Sequence, residues 1–480
     1  MQALTYLWHD YETFGAVPRR DRPAQFAAIR TDAELNEIGD ELMLYCQPAP
    51  DFLPDPQACL ITGITPQTCL QSGVPEHEFA RQIEAAFAQP GTVGVGYNTI
   101  RFDDEVTRFL FWRNLIDPYA REWQNNCSRW DILDVVRTAY ALRPDGIQWP
   151  RNEEGKVSFR LEHLTAANGL SHEAAHDALS DVRATIAMAR LLKEKNPRLF
   201  DFCLSLRKKD RVMEEIGWPV PKPFLHITGM IPAERGCISV MWPLAMHPTN
   251  KNEIIVWDLS ADPAELFSLS SEEIQLRMFS KSSDLPEGVT RLPIKTIHIN
   301  KSPIVISNLK TLSAERAAHW GIDMNAVMAH AAIAAHAPDM AQIWEVVFDR
   351  SAANGSSTNN DVDEDLYNGF IGNADRRLLN ELRALPAEQL AQASTHFQDA
   401  RLDELLFRYR ARNFPATLSA EEAEVWEQHR AARLHDGLGN AMTVEQFFER
   451  IDQLSEEADE RAEEILGALY DYAEHITPMR

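Results

Sequence analysis

Two short acidic segments contain the residues of this chain that are best suited to chemistry. The first, HDYETFG, carries Asp10 and Glu12, and the second, AHDALSDV, carries His176 and Asp181. The apolar lead-in LTYLWH predicts a strand, and side chains two residues apart lie on the same face of a strand. Asp10 and Glu12 can therefore hold a divalent cation together, because oxygen ligands suit Mg²⁺ and Mn²⁺.

A third acidic position lies between these segments in GYNTIRFDDEVTR. Asp103 opens a helical pattern there, directly after the apolar strand pattern TVGVGYN. Each acidic position also has a simpler interpretation, because Asp-x-Glu can be a solvated turn, Asp103 can cap a helix and His176 with Asp177 can be a helix-start pair. The order of the segments favours one site, since strand acids precede a helix-start acid and then an amphipathic helix with Val182, Ile186, Ala189 and Leu192.

This set of residue types suits the hydrolysis of a phosphodiester. One hard cation can bind the attacking water and another the leaving 3′ oxygen, and carboxylates are the ligands for such ions. A neutral imidazole has a pKa near 6.5, so it can accept the proton of water near pH 7. His176 fits that role.

Together Asp10, Glu12, Asp103, Asp181 and His176 resemble the DEDDh 3′-to-5′ exonuclease family. The resemblance implies an RNase H-like nuclease domain in which the four carboxylates hold two Mg²⁺ ions, for which Mn²⁺ can substitute, and His176 is the general base. Further segments resemble the bacterial branch of this family that degrades single-stranded DNA; these are DRPAQFAAIRTD, LITGITPQ, GYNTIRFDDEVTR, SRWDILDVV, YALRPDGI, SFRLEHLTAANG, HINKSP, LYNGF and RYRARNFP.

The resemblance implies a metal-dependent, processive exonuclease that releases 5′-mononucleotides from single-stranded DNA in DNA repair, recombination and mismatch repair. An RNA-trimming or proofreading nuclease of the same family is an alternative, although such enzymes are usually shorter chains. A non-enzymatic binding scaffold on a nuclease fold is another, and it would require the loss of one of the five residues, all of which are present.

The family positions also imply the substrate contacts. Single-stranded DNA is held by stacking on aromatic rings and by a basic track along the backbone. Arg160 is the strongest candidate for the phosphate nearest the cleaved bond, while each aromatic residue could equally belong to a core. The predicted substrate-binding residues are Glu12, Phe102, Arg108, Tyr119, Trp123, Arg137, Arg160, Lys209, Asn252, Lys295, Asn300 and Tyr367. Arg143 and Lys222 are candidates for binding the acidic C-terminal tail of the single-strand-binding protein.

Composition is that of a large globular enzyme. The chain has 480 residues, 45 % of them hydrophobic, and this length predicts about three domains. No membrane span is expected, because no apolar stretch approaches about 18 residues. No signal peptide is expected either, because the N-terminus MQALTYLWHDYE runs directly into the predicted strand with Asp10 and Glu12. The six cysteines lack CxxC spacing, which favours reduced thiols, a cytoplasmic location and no disulfide framework. A monomer is expected.

The net charge of −25 argues against a nucleic-acid partner unless the basic residues are grouped, because phosphate binding depends on Lys and Arg. The charges are unevenly distributed: residues 445–464 are strongly acidic, whereas residues 207–211 (RKKDR) are basic. The basic run can be part of a DNA groove or a solvated helix face.

The chain divides by pattern into an α/β part, a β-rich part and an all-α part. Residues 1–196 predict a mixed sheet flanked by helices, the DEDDh exonuclease domain. Residues 197–349 predict a small barrel interrupted by helices, which the resemblance identifies as an SH3-like β-barrel domain. Residues 350–365 are rich in Ser, Asn and Asp and predict a linker. Residues 366–480 predict a C-terminal helical domain.

Overall fold

A computed structural model describes residues 4–171, 177–349 and 361–479. The chain forms two compact units. Unit 1 comprises Met1–Ser128, His172–Arg183 and Ser357–Arg480, and unit 2 comprises Arg129–Ser171 and Ala184–Ser356. Each unit therefore combines segments that are distant in the sequence.

The centre of unit 1 is a mixed sheet. Its strands are β1 (Thr5–Thr13), β2 (Pro23–Thr31), β3 (Leu42–Tyr45) and β4 (Thr92–Gly96), in the order β3-β2-β1-β4. Strand β1 pairs antiparallel with β2 and parallel with β4. The predicted mixed sheet is confirmed, and β1 and β4 lie at the strands predicted from LTYLWH and TVGVGYN.

Helices follow β3 and β4 in unit 1. They are α1 (Pro56–Thr62), α2 (Pro66–Ser72), α3 (Glu76–Phe87) and α4 (Asp103–Arg113). Helices α3 and α4 cover one face of the sheet, where Phe26, Ile83 and Leu110 share a buried core. Apolar burial of this kind is the main stabilising term of such a layer, and it fixes the start of α4 close to β1.

The chain then passes into unit 2 and back. Its next elements are β5 (Ser128–Asp131), α5 (Ile132–Leu142), α6 (Leu161–Ala167), α7 (Ala178–Lys195), α8 (Pro197–Ser205) and α9 (Lys209–Ile216). Helix α7 is the predicted amphipathic helix, and its apolar residues Val182, Ile186 and Leu192 are buried.

Unit 2 contains an antiparallel sheet of short strands. They are β6 (Phe224–Ile227), β7 (Ile238–Met246), β8 (Glu253–Asp258), β9 (Ile294–His298) and β10 (Ile304–Ile306), in the order β10-β6-β7-β8-β9. Four helices interrupt or follow it: α10 (Ser271–Phe279), α11 (Ala314–His319), α12 (Met324–Ala334) and α13 (Ala341–Val347). The predicted β-rich part with helical interruptions is confirmed.

The last part of the chain is helical, as predicted, and belongs to unit 1. Its helices are α14 (Asn373–Arg383), α15 (Ala387–Gln392), α16 (Arg401–Asn413), α17 (Ala420–Asp436), α18 (Val444–Ser455) and α19 (Glu460–Ile476). The acidic residues 445–464 extend over two helices, because the Asp459 side chain accepts the N–H of Ala462 and starts α19. Phe447 of α18 and Leu469 of α19 share a core with Phe52 and Cys59 of the N-terminal segment.

Residues 361–365, predicted as the end of a linker, pack into unit 1 instead. Asp361 and Asp363 are buried, and the Asp363 carboxylate lies 2.9 Å from Arg22 and 2.5 Å from Arg412. Asp361 pairs with Arg408 and Arg433. Their acidic composition suggested exposure, but arginines of α16 and α17 neutralise them inside the fold.

Within the described residues, no helix is both long enough and apolar enough to cross a lipid bilayer.

Candidate active site

Three of the predicted metal ligands meet at one place in unit 1. Asp10 and Glu12 lie on β1, and Asp181 lies in the first turn of α7. One carboxylate oxygen from each lies within 4.8 Å of the others. Strand alternation places the first two on one face, and the start of α7 brings the third to that face.

The fourth predicted ligand, Asp103, is locked to the same strand. It is the first residue of α4 and is buried. Its Oδ1 accepts the backbone N–H of Tyr11 at 3.1 Å, between Asp10 and Glu12. The Thr107 hydroxyl lies 2.8 Å from the Asp103 carbonyl oxygen, to which it donates, and 3.0 Å from the Tyr11 hydroxyl. These bonds fix the start of α4 against the end of β1.

The crowded carboxylates change one another's ionisation. Burial raises the pKa of Asp10 well above its usual range, and the charges of Asp103, Glu12 and Asp181 raise it further. Burial, followed by the charges of Asp181 and Asp177, raises the pKa of Glu12 to about 8. The site therefore holds more negative charge than its protein surroundings stabilise, which is a property of a cation site.

The residues fit a divalent cation of the hard type. The donor atoms are carboxylate oxygens, which Mg²⁺ and Mn²⁺ prefer over nitrogen or sulfur. A bound cation would favour the charged form of Asp10 and Glu12, opposing the rise of pKa that burial causes. Asp10, Glu12 and Asp181 are the residues placed to hold it, with Asp103 beside Asp10.

Three predicted substrate contacts of unit 1 form one cluster around a buried arginine. Arg108 makes a bidentate pair with Glu122 at 2.8 and 3.0 Å and lies 2.7 Å from Glu105. Its guanidinium also donates to the Tyr367 hydroxyl at 3.1 Å and covers the Tyr119 ring at 5.2 Å from its centre. Because carboxylates occupy its donors, Arg108 holds the two aromatic rings in place.

Phe102 and Trp123 are the other predicted aromatic contacts of unit 1. Trp123 is 63 % exposed and Tyr367 is 55 % exposed, so both rings can be reached by a ligand. Phe102 is half-buried beside the core under α4. Phe370 was not predicted as a contact; it is 86 % exposed, and its ring lies 6.3 Å from that of Tyr119. Its position in the quoted segment LYNGF was the available signal.

The predicted contacts of unit 2 include two lysines held by neighbours. Lys209 donates to the Asn252 side chain at 2.9 Å, which joins two predicted residues. The Lys295 ammonium lies 3.0 Å from Nε2 of the buried His226, whose Nδ1 donates to the Ile304 carbonyl at 2.8 Å. Burial lowers the pKa of His226 well below its usual range, so this imidazole is neutral and accepts from Lys295.

The other predicted residues of unit 2 differ in exposure. Arg160 has a side chain that is 74 % exposed and lies 3.9 Å from Glu162. Arg137 pairs with Asp134 at 2.7 Å and is half-buried. Asn300 and Lys222 are exposed, and the exposed Arg143 donates to the Thr311 carbonyl at 3.1 Å.

His176, the predicted general base, lies outside the described residues. Its neighbour Asp177 is described and has two roles. Its Oδ2 accepts the N–H of Ser180 at 3.0 Å, which caps α7, and its charge contributes to the raised pKa of Glu12.

Family models cover most of the chain. An exonuclease model matches residues 7–189, the Exonuclease I SH3-like domain matches residues 207–350, and the Exonuclease I C-terminal domain matches residues 360–476. Exodeoxyribonuclease I of Escherichia coli is 44 % identical over 477 residues, which cover 99 % of this chain and 98 % of the relative.

The chain belongs to the exonuclease I family.

Solved structures of this family share its fold along the full length. Exonuclease I from Methylocaldum szegediense has a TM-score of 0.94 at 46 % identity, and E. coli exonuclease I in complex with a dA16 oligonucleotide has 0.91 at 44 %; each comparison covers 99 % of this chain and 100 % of the other. Two further structures each have a TM-score of 0.90 at 43 % identity. One is an ExoI/SSB-Ct complex, and the comparison covers 99 % of this chain and 100 % of the other. The other is a zinc-bound E. coli ExoI–ssDNA complex, and the comparison covers 98 % of this chain and 99 % of the other.

Membership of the exonuclease I family confirms two predictions. The chain is an exonuclease, and its fold class is an RNase H-like nuclease domain with a mixed sheet, an SH3-like domain and a helical C-terminal domain. Exonucleases of this kind need a divalent metal, and the carboxylate cluster is a candidate site for it. The predicted domain boundaries and the roles of the individual site residues stay predictions.

Proposed function

We propose that this chain is a metal-dependent 3′-to-5′ exonuclease that degrades single-stranded DNA to 5′-mononucleotides. The observation that carries the proposal is the meeting of Asp10, Glu12 and Asp181, whose oxygens lie within 4.8 Å of one another. In an exonuclease I family member, such a cluster supports phosphodiester hydrolysis. The relatives crystallised with DNA oligonucleotides support single-stranded DNA as the substrate.

The proposed metal ligands are Asp10, Glu12, Asp103 and Asp181, which would hold two Mg²⁺ ions, with Mn²⁺ as a substitute. Bound cations would activate the attacking water and stabilise charge on the leaving 3′ oxygen. The Tyr11 N–H orients the Asp103 carboxylate. His176 would accept the proton of the water, a task for which a neutral imidazole is suited near pH 7.

The proposed substrate contacts combine stacking with charge. The exposed rings of Trp123 and Tyr367 offer faces for bases, each worth about 1 to 3 kcal/mol. The exposed guanidinium of Arg160 would bind the phosphate next to the cleaved bond. Contacts from Lys209 and Lys295 would extend the hold on the strand and so make digestion processive. Glu12, Phe102, Arg108, Tyr119, Arg137, Asn252 and Asn300 complete the proposed set.

The proposed partner besides DNA is the acidic C-terminal tail of the single-strand-binding protein, as the ExoI/SSB-Ct complex of a relative suggests. Arg143 and Lys222 are both exposed and cationic, which suits an acidic peptide. The proposed setting is DNA repair, recombination and mismatch repair by a monomer in the cytoplasm. The six free, buried cysteines fit a reducing compartment.

The test is digestion of end-labelled single-stranded DNA, duplex DNA and RNA side by side, with Mg²⁺ or with EDTA. The proposal predicts release of 5′-mononucleotides from the 3′ end of the single strand, much slower loss of duplex and RNA, and no reaction in EDTA. Equal digestion of RNA would favour the RNA-trimming alternative. Binding of the strand without any cleavage would favour the scaffold alternative.

A further inference from the structure

The buried Gln25 joins the central sheet of unit 1 to the helix that carries Asp181. We propose that Gln25 is a positioning residue for the metal site: its amide fixes the start of α7 and so keeps the Asp181 carboxylate beside Asp10 and Glu12. The inference rests on the proposed function, because it assigns a role to Gln25 in that same site.

The strand register directs the Gln25 side chain to the site. Gln25 on β2 lies directly opposite Glu12 on β1 in an antiparallel pair. Directly opposed residues of antiparallel strands point to the same face of the sheet, so Gln25 shares the face that Asp10 and Glu12 occupy. The residue is only 1 % exposed.

Every hydrogen-bonding group of the Gln25 amide except one acceptor lone pair has a partner. Its Oε1 accepts the backbone N–H of Ala178, the first residue of α7, at 3.2 Å. Its Nε2 donates to Oδ1 of Asp177 at 3.4 Å and to the Tyr45 hydroxyl at 3.2 Å. The opposite amide orientation would place an N–H against an N–H and an oxygen against a carboxylate, so the network selects this orientation.

These bonds hold Asp177 and Ala178, the two residues at the start of α7. The N–H of Ala178 is one of the groups that a helix leaves without an intrahelical acceptor, and a side chain from the sheet satisfies it here. Asp177 caps the same turn through Ser180, and the Asp181 N–H donates to the Asp177 carbonyl at 3.0 Å. A shift of Asp177 and Ala178 would therefore move Asp181 with them.

A buried glutamine can also serve only to satisfy polar groups of the core. Gln47, which is half-buried, has such a purely structural role and serves as the comparison, since its amide donates to the backbone carbonyls of Leu70 and Gly73. It lies in the same unit, and neither of these bonds involves α7 or a carboxylate. The same substitution at Gln25 and at Gln47 separates positioning of the metal site from general stability.

The experiment compares the full-length wild type, Gln25→Met and Gln47→Met. Methionine keeps the length of glutamine and removes its hydrogen bonds. Mn²⁺ affinity is measured by isothermal titration calorimetry, folding by circular dichroism and thermal unfolding, and kcat and KM on a single-stranded oligonucleotide.

For Gln25→Met we expect a Kd for Mn²⁺ about 10- to 100-fold higher and kcat about 10- to 100-fold lower, the usual cost of losing a residue that orients metal ligands from outside the ligand set. KM for the oligonucleotide should change less than about twofold, and raising Mn²⁺ should restore part of the turnover, which a purely structural defect would not allow. Gln47→Met should bind Mn²⁺ as the wild type does. If Gln25→Met does not fold, Gln25→Asn, which is one methylene too short for these bonds, is judged by the same criteria.

A folded Gln25 variant with wild-type Mn²⁺ affinity and turnover would overturn the positioning role while leaving the proposed function intact. A wild-type protein that neither binds Mn²⁺ nor cleaves would instead refute the proposed function, and the positioning role with it.

Discussion

Replacing Glu12 by glutamine should stabilise the metal-free protein while removing its activity. Burial and the neighbouring acids raise the pKa of Glu12 from 4.5 to about 8. At about 1.4 kcal/mol per pH unit, this difference sets a ceiling of about 5 kcal/mol on the cost of keeping the carboxylate charged in the folded protein. Local relaxation and counter-ions reduce the cost, so we expect the free energy of unfolding to increase by about 1 to 3 kcal/mol at pH 8.

The pH dependence of this gain has a definite sign. Since the folded pKa of Glu12 lies above the unfolded value, the folded chain binds more protons than the unfolded chain between pH 4.5 and about 8. The contribution of Glu12 to stability therefore falls as the pH rises through this range. Glutamine cannot ionise, so the gain from Glu12→Gln should be full at pH 8 and small at pH 5.

The assay is thermal unfolding in EDTA at pH 5 and at pH 8, monitored by differential scanning calorimetry. The exposed Glu457→Gln is the control and should leave the midpoint within about one degree at both pH values. Excess Mg²⁺ should then stabilise the wild type more than Glu12→Gln, because the variant has lost a ligand. A variant that is no more stable than the wild type at pH 8, or that gains equally at pH 5, would refute the reasoning.

Three further predictions concern single side chains. Asp181→Ala should cut turnover to less than about a tenth of wild type because it removes a metal ligand. The variant should still bind a labelled single strand normally in fluorescence anisotropy. A variant that keeps more than a tenth of wild-type turnover would contradict the assignment of Asp181 as a metal ligand. His176→Ala should slow hydrolysis by about 10² to 10⁴ and remove the ionisation between about pH 6 and 8 from the pH-rate profile, whereas an unchanged profile would exclude His176 as the base. Arg412→Met should lower the free energy of unfolding, measured in urea, by about 3 to 5 kcal/mol, because Arg412 neutralises two buried carboxylates. The control Arg81→Met, at an exposed position, should lower it by less than about 1 kcal/mol. Equal decreases for the two variants would contradict the role of Arg412.

The acidic site could be predicted from the sequence because its parts are local. Alternation along β1 places Asp10 and Glu12 on one face, and the helical patterns place Asp103 and Asp181 in first turns. What the patterns do not contain is the pairing of β1 with β2, which brings Gln25 opposite Glu12. Gln25 was not among the predicted site residues, because its bonds to the start of α7 depend on tertiary structure.

The buried acids near the C-terminal helices illustrate the opposite case. Asp361 and Asp363 lie in a polar run that has the composition of a linker, and no local pattern distinguishes them from solvated residues. Their burial follows from arginines far along the chain, chiefly Arg412 and Arg433. Pairing across such sequence distances can be recognised only in the folded protein.

The most direct test of the account is a crystal structure of the protein soaked in Mn²⁺, with the metal located by its anomalous scattering. We expect a peak bounded by the carboxylate oxygens of Asp10, Glu12 and Asp181, at about 2.0 to 2.2 Å from its ligands. The peak should disappear or weaken strongly in Asp181→Ala. A Mn²⁺ ion bound at a different place, in protein that cleaves single-stranded DNA with Mn²⁺, would contradict the account.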